Sequence, residues 1–263
     1  MVAVLCDEMK HSAFEPADFE LSFGHGRTLP PVRVDTPEGS AELSGAVDRV
    51  DLVESGEQTF FRVVDYKTGR KDFDYTDLLE RRGLQMLIYM FALEQSGAQR
   101  YGRPIHPSGV LYVPAHDDVL RLDQRPGDDE KMRQERQKSH RRQGLLLDDD
   151  LLLQAMEPCG EGQPKLLPYK IGKQGRTGDL MDLGQLGLLR RYVGNALSAV
   201  TEEIHTGGIR PDPYIRGSVG SCTYCPYAGV CHLDLCKIEP RALHSTKSGD
   251  FWARLAQREA NHG

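Results

Sequence analysis

Two alternating stretches, Leu43 to Val53 and Thr59 to Tyr66, joined by the polar turn Glu54-Ser55-Gly56-Glu57, constrain this chain more than any other feature. Alternation at period two with turn residues between specifies two strands paired as a hairpin. Side chains two apart on a strand share a face. Asp65 and Lys67 therefore point one way while Val64 and Tyr66 point the other, and strand pairing brings Asp48 to the Asp65 surface. The result is two carboxylates with an ammonium beside them. Arg49 and Asp51, on the same strand as Asp48, read as a solvated face.

Two carboxylates and a lysine suit phosphodiester hydrolysis. Hard oxygen ligands hold Mg²⁺ or Mn²⁺ while leaving positions for water and phosphate oxygens. A lysine nearby orients water or steadies charge developing on the phosphate. A lone Asp-x-Lys on a strand is more often an exposed ion pair of little energetic weight. The remainder of the chain therefore has to supply the context.

Leu84, Leu87, Ile88 and Phe91 recur at helical spacing, which predicts one helix from Thr76 to Gln95 with Thr76 as N-cap and Gly97 after its end. Gln85 and Tyr89 lie four apart on it and share a face. Val110 to Val113, after Pro107-Ser108-Gly109, reads as a strand returning beside the hairpin, so strand, strand, helix, strand is an α/β core. Upstream, residues 1 to 18 read as a lead-in and Phe19 to Phe23 as a short strand. Downstream, about 115 to 183 reads as a partly helical insertion containing the leucine-rich patch Leu145 to Leu153. Gly184 to Thr206 follows as a helix with Leu186, Leu189, Val193, Leu197 and Val200 on its apolar face. The tail after Pro240, with Phe251 and Trp252, is expected to dock on the core or on a partner.

Cys222, Cys225 and Cys231 have C-x₂-C-x₅-C spacing, and Cys236 follows. So tight a group, in a chain without a secretory signal pattern, favours metal binding over disulfides. By residue type alone the metal is zinc, with His232 or Cys236 as fourth ligand.

Taken in order, Gly45-Ala-Val-Asp48-Arg-Val-Asp51, Val64-Asp65-Tyr66-Lys67-Thr68-Gly69, and a helix with Gln85 and Tyr89 resemble the PD-(D/E)XK nucleases, and within them the RecB-like branch. Phe19-Glu20-Leu21-Ser22-Phe23-Gly24 and the three cysteines are similar to the C-terminal nuclease domain of AddB-type helicase-nuclease subunits. The resemblance runs from about Phe14 to Cys231. It implies a restriction-endonuclease-like mixed sheet flanked by helices, in one domain: a core at about 14–114 and 184–206, the insertion, and a cysteine segment at about 211–240. It also implies Asp48 and Asp65 as Mg²⁺ (or Mn²⁺) ligands, Lys67 as the catalytic lysine, and Gln85 and Tyr89 completing the site. Glu20 is a further candidate carboxylate for the metal, with a structural role equally open. Arg70 and Lys71, just past the catalytic strand, are expected to contact DNA. For the cysteines the resemblance implies a [4Fe-4S] clip, which requires a fourth thiolate. Cys6 and Cys236 are the candidates, and with three thiolates alone the group is expected to be empty or zinc-loaded.

The activity so implied is metal-dependent exonuclease action on DNA within an AddAB-type helicase-nuclease that processes double-strand breaks, beside a helicase subunit. The alternatives are a stand-alone RecB-like exonuclease of the Cas4 kind and an inactive nuclease fold kept as a DNA-binding or structural module. No P-loop is present, since Gly172-Lys-Gln-Gly-Arg-Thr-Gly misplaces its lysine. Unwinding would come from elsewhere. The 263 residues carry a formal net charge of −6, unfavourable for phosphate binding, so charge distribution matters more than the sum. Lys131 to Arg142 holds six Lys or Arg against one Glu and reads as a solvated helix or a DNA contact. With no long apolar run and no signal pattern, a cytoplasmic chain without a membrane span is expected.

Overall fold

The hairpin anticipated from alternation forms the centre of the molecule. A computed structural model describes residues 2–69, 71–115, 138–160, 162–231 and 238–262. Helix α1 (Val2–His11) leads into β1 (Glu15–Phe23), followed by a separate hairpin of β2 (Val32–Thr36) and β3 (Gly39–Leu43). Then come β4 (Gly45–Ser55), β5 (Gln58–Lys67), α2 (Tyr75–Leu79), α3 (Gln85–Tyr101) and β6 (Ile105–Pro114). The chain continues through β7 (Gln143–Leu147), α4 (Asp150–Met156), a small hairpin of β8 (Tyr169–Gly172) and β9 (Gly175–Gly178), β10 (Leu180–Met181) and α5 (Leu183–His205).

The main sheet has the order β1-β4-β5-β6-β7-β10. Parallel pairs β5–β6 and β7–β10 alternate with antiparallel ones, so the sheet is mixed as expected. Central strands buried on both faces lose the clean alternation of a half-solvated strand. Val63, Val64, Val110, Leu111, Leu145 and Leu146 are all fully buried. Gly144, at φ 151, is needed where β7 crosses β6: a Cβ there would lie 2.0 Å from the Val110 carbonyl oxygen.

Several expectations change. The lead-in holds a helix, and β1 begins at Glu15 rather than Phe19. The single helix expected from Thr76 to Gln95 is two, broken where Arg81 (φ 58) and Gly83 (φ 65) enter the left-handed region. Asp74, not Thr76, caps the first by accepting from the Thr76 N–H at 2.7 Å. The second runs past Gly97 to Gly102, whose left-handed conformation closes it. The segment expected as an insertion contributes β7 and β10 to the main sheet, because the leucine patch is buried between β6 and the following helix rather than lying outside the core.

Helix α5 matches its expected span and starts with a capping box between Asp182 and Gln185. A small sheet of β11 (Tyr214–Arg216), β12 (Val219–Gly220) and β13 (Arg241–Ala242) brackets the short α6 (Ala228–Cys231). The tail becomes α7 (Ser248–His262), and its aromatic pair docks on this chain's own core: Phe251 packs 5.3 Å from Tyr75 and 6.2 Å from Tyr192, ring centre to ring centre. Among the described residues no helix is long and apolar enough to cross a membrane.

Candidate active site

Strand pairing sets the site. Arg49 is paired with Val64, so the next step along the β4–β5 ladder places Asp48 opposite Asp65. One oxygen of Asp48 accepts a hydrogen bond from the Tyr66 N–H at 2.8 Å, tying the two strands together between Asp65 and Lys67. Asp65 is 5% exposed, and its carboxylate forms an ion pair with the Lys67 ammonium. On the other side β6 pairs Tyr112 with Asp65. The Tyr112 ring lies 5.8 Å from Lys67 Nζ and 5.9 Å from Lys71 Nζ.

Burial is the largest influence on Asp65 and pushes its carboxyl above the usual range. Lys67 and Lys71 pull it back, and the neighbouring Asp48 charge pushes it up again, leaving it raised overall. Burial likewise raises the Tyr112 phenol to about 12, with Asp65 and Asp77 adding to it, so it stays protonated at neutral pH. A buried carboxylate facing a second carboxylate, with two lysines offsetting only part of the cost, favours an added cation. Two carboxylates on one sheet face fit Mg²⁺ or Mn²⁺, which keep several waters and need few protein ligands.

The other expected residues divide. Gln85 Nε2 donates to the Tyr89 hydroxyl at 2.7 Å, and the Tyr89 ring stands edge-on to Phe23 at 5.5 Å, over Gly45 at the start of β4. They line a recess of about 360 Å³ with Leu84, Ile88 and Arg81. Lys71 reaches the site, whereas Arg70 lies outside the described residues. Glu20 is exposed, at φ 50, and among the described residues no three of His, Cys, Asp and Glu are grouped as a metal site. Glu20 therefore does not join Asp48 and Asp65 in a three-carboxylate cage: the left-handed conformation interrupts strand alternation at that position.

The cysteines are likewise not gathered. Cys222 and Cys231 are exposed, Cys225 is half-buried, and Cys6 is free and exposed on α1. Cys236 and His232 lie outside the described residues. As placed, the three thiols do not present a ligand set for a cluster or for zinc, and nothing in the Asp48–Lys67 site depends on them.

Arg49 and Asp51, expected on a solvated face, are instead buried at 1% and 0% exposure. Asp51 sits between two guanidinium groups, accepting from Arg49 Nη2 at 2.8 Å and Arg62 Nε at 2.7 Å. Arg62 Nη2 also donates to Glu8 at 3.2 Å, and Arg142 Nη2 donates to the other Glu8 oxygen at 2.6 Å. The basic run thus ends inside the core rather than in solvent, because α1 brings a buried carboxylate to meet it; its residues 131–137 lie outside the described ones. Glu8, Arg62 and Arg142 carry no motif. The usable signal was Arg62, whose position along the hairpin opposes Asp51.

The sequence profile described as the PD-(D/E)XK nuclease superfamily matches residues 1–232. Among curated proteins the chain is 33% identical over 264 residues to an AddB-type ATP-dependent helicase/deoxyribonuclease subunit of Acetivibrio thermocellus, covering 98% of this chain and 23% of that protein. A protein of the same name from Thermoanaerobacter sp. (strain X514) is 32% identical over 267 residues, covering 99% and 23%. One from Ruminiclostridium cellulolyticum is 31% identical over 256 residues, covering 95% and 22%. The chain spans about a quarter of the length of these relatives.

Proposed function

The chain belongs to the PD-(D/E)XK nuclease superfamily, and from that premise we propose that it is a divalent-metal-dependent deoxyribonuclease module acting as an exonuclease. The observation that carries this reading is the ladder position of Asp48 opposite Asp65, with Lys67 in contact with Asp65 on the same face. Asp48 and Asp65 hold Mg²⁺ or Mn²⁺. When bound, such an ion polarises the phosphodiester and lowers the pKa of water. Lys67 orients the attacking water and offsets negative charge growing on the phosphate oxygens as the water oxygen bonds to phosphorus and the ester P–O bond breaks. Lys71, beside Tyr112, adds positive charge where the strand enters. Gln85 and Tyr89 line the wall that receives the adjoining nucleotide.

The relatives' name joins helicase and deoxyribonuclease in a single polypeptide. We take this chain's context to be the same: a nuclease module fed with unwound DNA by helicase parts and a partner subunit, in double-strand-break processing. The retained Asp48, Asp65 and Lys67 disfavour a purely structural module. The test is incubation of end-labelled single-stranded DNA with the purified chain in Mg²⁺, in Mn²⁺ and in chelator, beside Asp65→Ala. Cleavage that needs metal and is lost in the variant supports the reading. Equal cleavage by both proteins overturns it.

A further inference from the structure

On the face of β4 and β5 opposite Asp48 and Asp65, five charged side chains form one buried chain of contacts. Reading outward from the site, the Tyr66 hydroxyl accepts from Arg49 Nη1 at 2.6 Å. Arg49 and Arg62 both donate to Asp51, and Glu8 joins Arg62 to Arg142. Arg142 Nη1 also donates to the His140 carbonyl at 2.6 Å, and the Arg62 guanidinium lies over the Phe14 ring at 5.1 Å. Arg49, Asp51, Arg62 and Arg142 are each no more than 1% exposed. So many buried charges hold one geometry because displacing any member leaves another uncompensated.

Tyr66 is where this assembly meets the site. It lies between Asp65 and Lys67 in sequence, and it is held from both faces of the sheet. Its N–H donates to Asp48, while its hydroxyl is fixed by Arg49, which precedes β5 in the chain and follows Asp48 directly. A tilt of the Tyr66 ring would twist β5 at Asp65 and Lys67 and release the Asp48 carboxylate. We propose that Tyr66 and Arg49 are positioning residues: clamped by Asp51, they set the spacing of Asp48 from Asp65, and so the affinity and geometry of the divalent-ion site. This rests on the reading of that face as a metal-dependent hydrolytic centre. Glu8 and Arg142, at the far end, anchor α1 and the start of β7 and have no part in the spacing.

The experiment measures three quantities for the wild-type chain, Tyr66→Phe and Glu8→Gln: Mn²⁺ affinity by calorimetry, turnover on single-stranded DNA at saturating Mn²⁺, and the melting temperature. Tyr66→Phe removes one hydroxyl and keeps the ring. It is expected to weaken Mn²⁺ binding about tenfold and lower kcat about tenfold with KM for DNA unchanged. Glu8→Gln is expected to lower the melting temperature while leaving Mn²⁺ affinity and kcat within twofold. If Tyr66→Phe binds Mn²⁺ and turns over like wild type, the positioning role is wrong and the hydrolytic centre stands. If both variants lose affinity in proportion to lost stability, the network is merely structural and the proposal fails. If the folded wild-type chain neither binds Mn²⁺ nor cleaves, the hydrolytic reading fails first and the proposal with it.

Discussion

The two faces of the β4–β5 pair carry the same residue types to opposite ends. On one face two carboxylates, Asp48 and Asp65, stand opposite each other with Lys67 alone in direct ionic contact. On the other, Asp51 and Glu8 are each held between two arginines. Burial pushes both Asp65 and Glu8 towards neutrality. At Glu8 the guanidinium groups of Arg62 and Arg142 more than offset it and the carboxyl ends below its ordinary value; at Asp65 the lysines do not, and it ends above. The back face is complete in itself. The front face holds negative charge at a cost that a divalent cation removes, which is what a binding site requires and a structural ion pair avoids.

The largest effect expected is at the front. Asp65→Ala should lower cleavage of single-stranded DNA by at least about 10³-fold, since it removes a carboxylate that acts on the reacting centre. Circular dichroism should show an unchanged fold. Next comes the back: Asp51→Ala leaves Arg49 and Arg62 uncompensated and should cost about 3–5 kcal/mol in urea unfolding. A loss below about 1 kcal/mol would mean the two faces are equally solvated and the contrast is false. Lys67→Ala should reduce turnover on the order of 10²-fold, with Mn²⁺ affinity largely kept. Selective loss of metal binding would move Lys67 from the chemistry to the site's electrostatics.

The smallest effect is the most discriminating, because its sign differs between faces. Asp65 titrates higher folded than unfolded, so its ionisation opposes folding as pH rises through its raised value. Without metal, Asp65→Asn should melt higher than wild type at neutral pH, and the gain should vanish as pH falls below the ordinary aspartate range. Glu8 titrates lower folded than unfolded, so it contributes stability above the ordinary glutamate range that is lost as pH falls through its lowered value. Glu8→Gln should therefore melt lower than wild type at neutral pH, and the deficit should shrink in acid. Melting curves for both variants across that range test the pair together, and shifts of the same sign would break the comparison.

Much of the front face was legible because alternation and the hairpin turn fix which side chains share a surface. Asp48, Asp65 and Lys67 follow from period two alone. The back face obeys the same geometry, yet its residues looked solvated, because polarity stands for exposure only when no distant segment covers it. Here α1 supplies Glu8, which lies 54 residues from Arg62 and 134 from Arg142 in the chain. The α2–α3 break was equally hard to see. Leu84 to Phe91 carries a helical period, but Arg81 and Gly83 take left-handed conformations that no periodicity encodes. The leucine patch of β7 was missed because a short apolar run flanked by polar sequence does not declare itself as strand or helix.

The most direct test of the central claim is whether a divalent ion touches the phosphate being cut. Single-stranded DNA carrying a phosphorothioate of defined configuration at the terminal linkage would be digested by the wild-type chain in Mg²⁺ and in Mn²⁺. The Asp48–Asp65 site predicts that one diastereomer is cut slowly in Mg²⁺ and recovers in Mn²⁺, which accepts sulfur more readily. Rates that ignore both the configuration and the metal would contradict it.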